Sequence, residues 1–211
     1  MTYDDALLKI NKEQRVPPEQ LDEIVLKCRK NAEILVGENE GIKKSLQKCV
    51  ELRDLLIWIS LLRLGRRTTE ITTLSLQEVS NAEINNTENS YTINIKNHKT
   101  RKHDKNAYIA FNEPEFQILQ TFIKDYRPEL TSDTNPDSPV FPIKTNKSSK
   151  SSKLFLQNVH RILNKFKTEE NVTLTSRITR KSIVSNAVKE RSDLRSVANV
   201  LWHNVVTAER Y

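Results

Sequence analysis

Residues 55–62, "LLIWISLL", constrain the fold of this 211-residue chain more than any other stretch. Seven of the eight are apolar, and they close the helical pattern "IKKSLQKCVELRDLLIWISLLRLG" (42–65), with Gly65 as its stop. The second half of that pattern is apolar nearly all round. A surface helix shows one apolar stripe, so this one is expected at the centre of a core, with Trp58 inside it. A membrane span needs about 20 such residues, so the stretch is too short to be one. No leader of basic, apolar and small residues opens the chain, so no signal peptide is expected. Cys28 and Cys49 lie in helical patterns without a CxxC or Cys/His cluster. The expectation is a protein of a reducing compartment, with no disulfide scaffold and no zinc site.

The other elements must wrap that helix. "VPPEQLDEIVLKCRKNAEIL" (16–35) predicts a helix opened by prolines, with Leu21, Ile24, Val25, Cys28 and Leu35 on one face. "GENEG" (37–41) is a break, and "RRTTEITTLSL" (66–76) predicts one short helix. "YTINI" (91–95) and "AYIAF" (107–111) predict two strands around the basic turn "KNHKTRKHDKN". A helix is expected over 113–126, through Phe116, Leu119, Phe122, Ile123 and Tyr126. Residues 130–152 read as a mobile Ser/Thr/Asn/Pro loop. Helices over 154–166, 176–190 and 193–202 follow, then a last turn or two to Tyr211. Helices, a small antiparallel sheet, then helices make an α+β fold with helix dominant, in one domain over 16–211 behind a polar extension, 1–15.

Charge is lopsided. Residues 138–189 hold eleven Lys/Arg against two acids, Glu169 and Glu170, a local +9 in a chain whose total is +7. That imbalance suggests a face for a polyanion. No Gly-rich phosphate loop, GxSxG or HExxH occurs, and no trio of acids has metal-site spacing, so neither cofactor nor metal is expected. What remains is cationic. Arg66 and Arg67 follow Gly65 at a helix mouth, Lys99 sits between two strands, and Arg177 and Arg180 are three apart on one helical face. His203 and Tyr211 close the sequence. Together they would form a cationic pocket with one phenol at its edge, suited to stabilising the charge that builds on a phosphodiester under attack.

Each residue alone has an ordinary reading. Arg67 would be a solvated cap, Lys99 an exposed turn residue, Arg177 and Arg180 surface partners of Glu169 or Glu190, and His203 a core residue beside Trp202. Their order overturns those readings. "LLRLGRRTTEITTLSLQEV" resembles the first box of the tyrosine recombinase (phage integrase) family, with Arg67 on its arginine and Glu70 on its acid. "NHKTRKHDKNAYIAF" resembles the β-hairpin of the family's lysine, at Lys99. "TSRITRKS" resembles the His-x-x-Arg box, with Arg180 on the arginine and Arg177 where histidine is usual. "LWHNVVTAERY" is similar to the ending that carries His203 and Tyr211, and "VPPEQLDEIVLKC" to the helix that opens the catalytic domain.

The resemblance implies a catalytic domain over 16–211 that acts on double-stranded DNA without a cofactor, as a dimer to tetramer, in recombination or integration of a mobile element. It implies that Tyr211 attacks a scissile phosphate, Arg67 and Arg180 grip its oxygens, His203 adds a hydrogen bond, Lys99 protonates the leaving oxygen and Glu70 orients the arginines. Arg66, Lys96, Arg101, Lys102, Lys150, Lys153 and Lys181 are expected on DNA phosphates. The site of action would be the cytoplasm at the nucleoid, or the nucleus in a eukaryote, with no membrane partner. Departures are Arg177 for a histidine that handles the nucleophile's proton, Trp202 for a glycine, and a His203–Tyr211 spacing shorter by about one residue. An end at the tyrosine is expected either of a chain truncated there or of a natural terminus. Two alternatives stand beside a strand-exchange enzyme: a DNA-binding remnant with its chemistry impaired, and a type IB-like topoisomerase using the same residues.

Overall fold

The computed structural model describes residues 16–37, 44–64, 67–85, 89–96, 107–143, 151–169, 174–175, 178–179 and 182–183. Helix α1 (Pro18–Gly37) packs on α2 (Leu46–Leu64). Leu21, Ile24, Cys28, Ala32 and Leu35 make the inward face of α1, spaced three and four apart, while Val25 is half-buried. From Leu52 on, α2 is enclosed nearly all round, as its composition demands. Ile57, Trp58, Ile59, Leu61 and Leu62 are all buried, and the Ser60 hydroxyl donates to the Leu56 carbonyl at 2.8 Å.

The expected single helix over 66–76 is instead two short ones, α3 (Thr68–Thr72) and α4 (Leu76–Ser80). The break has a local cause. The Thr73 hydroxyl bonds the Thr69 carbonyl at 2.6 Å, and the Ser75 hydroxyl accepts from the Glu78 N–H at 3.2 Å, starting a new helix with a capping box. The sheet also exceeds expectation. Strands β1 (Glu83–Asn85), β2 (Ser90–Ile95) and β3 (Ala107–Asn112) form an antiparallel sheet in that order, with Ile93 opposite Ile109 and Tyr91 opposite Phe111. Asn89, with φ 48°, turns the chain into β2.

Helix α5 (Glu113–Thr121) starts on an Asn112 cap with Glu115 and Pro114 in its first turn. It does not run as one α-helix to Tyr126. Residues Phe122–Tyr126 widen to a π-turn and Arg127–Glu129 tighten to a 3-10 turn. Pro128 explains this, since it lacks an N–H and its ring crowds the carbonyl four residues back. Phe116, Leu119, Phe122 and Tyr126 still face the core. Tyr91 stacks on Phe116 at 4.1 Å between centroids, which seats the sheet on α5.

Residues 130–143 correct the expectation of a mobile loop. Arg127, 4% exposed, ties them down by donating to the Asp133 carbonyl at 2.6 Å, the Ser138 hydroxyl at 2.9 Å and the Pro139 carbonyl at 3.1 Å. Burial pushes the Arg127 guanidinium pKa down, and Asp133 opposes that shift. Val140 and Phe141 are core residues. Short strand β4 (Pro142–Ile143) pairs with β5 (Ser152–Lys153), and α6 (Leu156–Glu169) buries Val159, Ile162 and Leu163. Residues 144–150 lie outside the described residues.

Two charged residues of α2 are also enclosed. Arg53 donates to the Asp54 carboxylate at 2.8 and 3.0 Å and to the Pro142 carbonyl at 2.9 Å. Lys165 of α6 reaches the other Asp54 oxygen at 3.1 Å. This network fastens the central helix to β4 and α6. Of the helix expected over 176–190, residues 178–179 and 182–183 are helical, with Thr175 accepting from the Ile178 N–H at 3.1 Å. Ser182 is fully buried, and its hydroxyl accepts from the Val16 N–H at 2.9 Å, joining this segment to the foot of α1. The helix expected over 193–202 and the turns after it lie outside the described residues. No helix among the described residues is long and apolar enough to cross a membrane.

Candidate phosphodiester site

Arg67 stands immediately ahead of α3, in extended conformation. Its position is set by Glu70, three residues on and 2% exposed. One Glu70 oxygen accepts from the Arg67 N–H at 3.1 Å, and the other lies 3.3 Å from the Arg67 Nη1. The Arg67 side chain keeps 22% of its surface open. A buried carboxylate bonded to both the backbone and the guanidinium of one residue restricts that side chain's rotamers. A restrained guanidinium loses less entropy when it grips an anion.

The second part of the site begins where β2 ends. The last pair of the hairpin is Ile95 with Ala107, so the basic turn spans 96–106. Lys96 is exposed. Its N–H donates to the Glu78 Oε1 at 2.6 Å, and its Nζ lies 3.4 Å from the Gln77 Oε1. Lys153, in β5, is exposed. The structure thus places Arg67, Glu70, Lys96 and Lys153. Arg66, Lys99, Arg101, Lys102, Lys150, Arg177, Arg180, Lys181, His203 and Tyr211 lie outside the described residues.

One segment, 67–80, carries Arg67 at its head and holds the foot of the basic turn at its tail. It is itself fastened. The Leu76 N–H donates to the Ser138 carbonyl at 3.1 Å, and the Val140 N–H donates to the Leu74 carbonyl at 2.8 Å. Through Ser138 and Pro139 it connects to the Arg127 guanidinium. The sequence reading missed Glu78 and Arg127. Glu78 carried a legible signal, the Ser-x-x-Glu spacing of a capping box. Arg127 carried none. A cavity of about 580 Å³ between α1, α2 and α6 is lined by Lys27, Glu51, Asp54, Trp58 and Lys165 among others, and by none of the candidate residues that the structure describes. Among the described residues, no three of His, Cys, Asp or Glu are grouped to hold a metal ion.

Compared with solved structures, the chain is similar to the XerH site-specific recombinase bound to difH substrate in a pre-cleavage complex. The TM-score is 0.61 at 18% identity, over 93% of this chain and 49% of that one. A post-cleavage complex of XerH with palindromic difH substrate gives a TM-score of 0.60 at 18% identity, over 94% and 48%. The chain has a recombinase fold. It is α+β, mostly helical with a small antiparallel sheet. At this identity the likeness is one of fold, and the chain spans about half the length of the recombinase it matches. No protein-family model matches the sequence, and no curated protein does.

Proposed function

We propose that this chain is the catalytic domain, over 16–211, of a site-specific DNA recombinase or integrase that works through a 3′-phosphotyrosine at Tyr211. The observation that carries the reading is the Glu70-held Arg67 at the mouth of α3, within a recombinase fold. The sequence puts the first arginine of the phosphate grip at that same point. Arg67 and Arg180 neutralise the non-bridging oxygens, and His203 adds a donor. The Tyr211 oxygen bonds to phosphorus as the bond to the 5′-oxygen breaks. The phenol gives its proton to solvent, Lys99 gives one to the departing oxygen, and the lysine is reprotonated from water. The phosphodiester energy is kept in the phosphotyrosine, so the strand can be resealed by the reverse attack. The substrate is double-stranded DNA, bound by a dimer to tetramer at the nucleoid, or in the nucleus of a eukaryote.

The test is incubation of the purified protein with nicked duplexes tiled across the DNA that flanks its own gene. An SDS-stable protein–DNA band should form with the wild-type chain and vanish in Tyr211→Phe, which should still bind. A band that survives in Tyr211→Phe sinks the assignment. A second reading, a DNA-binding remnant of the same fold, is favoured by Arg177 at the histidine position and Trp202 at the glycine position. It predicts binding that weakens steeply with salt and no covalent band on any substrate.

A further inference from the structure

The cavity between α1, α2 and α6 lies apart from the described candidates for phosphodiester chemistry, and its lining has a chemistry of its own. Val50, Leu55 and Trp58 of α2 and Cys28 of α1 supply an apolar wall. Trp58 and Cys28 are each 1% exposed, so that wall is part of the core and is held rigidly. The volume, about 580 Å³, falls inside the span of small-molecule pockets, roughly 300–1,000 Å³.

The polar groups on the same lining leave a charge over. Asp54 is 7% exposed and is bonded to two cations. Arg53 donates to its Oδ1 through both Nε and Nη2, and the Lys165 Nζ lies 3.1 Å from its Oδ2. Arg53 by itself neutralises the carboxylate, so Lys165 is a surplus cation. The exposed Lys27 and Glu51, also on the lining, offset each other. An ammonium has three N–H groups to donate, and Asp54 takes one of them. The Lys165 side chain keeps 57% of its surface open, so its amine can be reached by a ligand. A cation entering the cavity meets like charge, and a wholly apolar molecule makes no use of the amine. A flat apolar body with one negative group answers both halves of the lining. Its ring packs on the wall, and its anion takes a charge-assisted hydrogen bond from the amine.

We propose that this cavity binds a small aromatic carboxylate, its ring against Trp58 and its carboxylate on Lys165. Binding here is independent of the proposed reaction, because it draws on none of the residues assigned to the phosphate.

The test is calorimetric titration of the full chain with phenylacetate, its neutral amide phenylacetamide and the cation phenethylammonium. Phenylacetate should saturate a single site with a dissociation constant on the order of 1 mM or tighter, as its size allows. It should also raise the thermal midpoint. The amide should bind about five- to tenfold more weakly, the effect of one partly exposed charged hydrogen bond, and the cation more weakly still. Lys165→Met keeps the reach of the side chain and, at a largely solvated position, the fold. It should bring phenylacetate down to the affinity of the amide and leave the amide unchanged. Val50→Phe fills space at a half-buried position on the wall and should weaken every ligand. Gln47→Trp does the same from an exposed position on the lining, so a poorly folded Val50→Phe does not spoil the test. Equal affinity for acid and amide in the wild-type chain, or a preference for the acid that survives Lys165→Met, overturns the proposal. So does binding untouched by Gln47→Trp and by a folded Val50→Phe, or the lack of any saturable binding.

Discussion

Arg67 and Asp54 show how different one charged contact can be from another. Arg67 keeps part of its surface open beside a buried Glu70, the arrangement of a group held ready for an anion. On the proposed recombinase reading, its replacement by Ala should lower the single-turnover cleavage rate by roughly 10²–10³ while changing the unfolding midpoint little. Asp54 is a structural charge, enclosed between Arg53 and Lys165. Arg53 is 7% exposed and Lys165 57% exposed at the side chain, and that contrast decides what each is worth. Arg53→Met takes the enclosed cation from the buried Asp54 carboxylate and leaves it the exposed Lys165 amine, and should cost about 3 kcal/mol in urea unfolding. Lys165→Ala removes a solvated amine and should cost under about 1 kcal/mol. Equal costs for the two would contradict the burial argument.

At the scale of elements, the segment from Leu130 to Ile143 behaves as a designed connector, because Arg127 and Asp133 bond its backbone. Asp133 closes it onto β5: its carboxylate takes the Ser151 N–H at 2.7 Å and the Ser151 hydroxyl at 2.8 Å, and the Asn135 N–H at 3.0 Å. The Ser151 N–H, then that of Asn135, hold its pKa below the ordinary 3.8. A depressed folded value means the carboxylate stabilises this closure above the unfolded pKa and stops doing so as pH falls through the folded one. Hydrogen exchange at the Ser151 amide should therefore stay protected at neutral pH and lose protection in acid, beyond the intrinsic pH trend. In Asp133→Asn protection should be weaker and nearly flat with pH. Protection that is the same in both proteins would remove the anchor.

At the scale of the molecule, α2 is the axle around which the other elements pack. Trp58 is 1% exposed in the middle of α2, so Trp58→Ala should cost about 3–5 kcal/mol by cavity formation. On the proposed DNA-binding reading, the positive excess of residues 138–189 predicts a salt dependence of DNA affinity. Each phosphate neutralised contributes a slope of about 0.9 in the logarithm of affinity against that of salt. Lys153→Ala should lower that slope by about one contact and weaken all duplexes alike. Loss confined to one sequence would mean base readout instead.

The α+β order followed from the succession of elements, and the Arg67–Glu70 pair was legible only through the resemblance of "LLRLGRRTTEITTLSLQEV" to a recombinase box. The helices α1 and α2 and the strands β2 and β3 could be read from the chain itself. Each depends on neighbours two to four positions away, and side-chain periodicity records such neighbours directly. The break between α3 and α4 was also local, in Ser75 and Glu78, but a threonine-rich run masked it. The rest was decided by tertiary structure. Nothing near Arg127 announces that its guanidinium holds 133–139, nothing near Asp54 names Lys165, and nothing near Glu78 names Lys96. A buried charge must be matched by donors or acceptors wherever the fold brings them, so its partner is fixed by which segments close over it, and sequence distance carries no record of that.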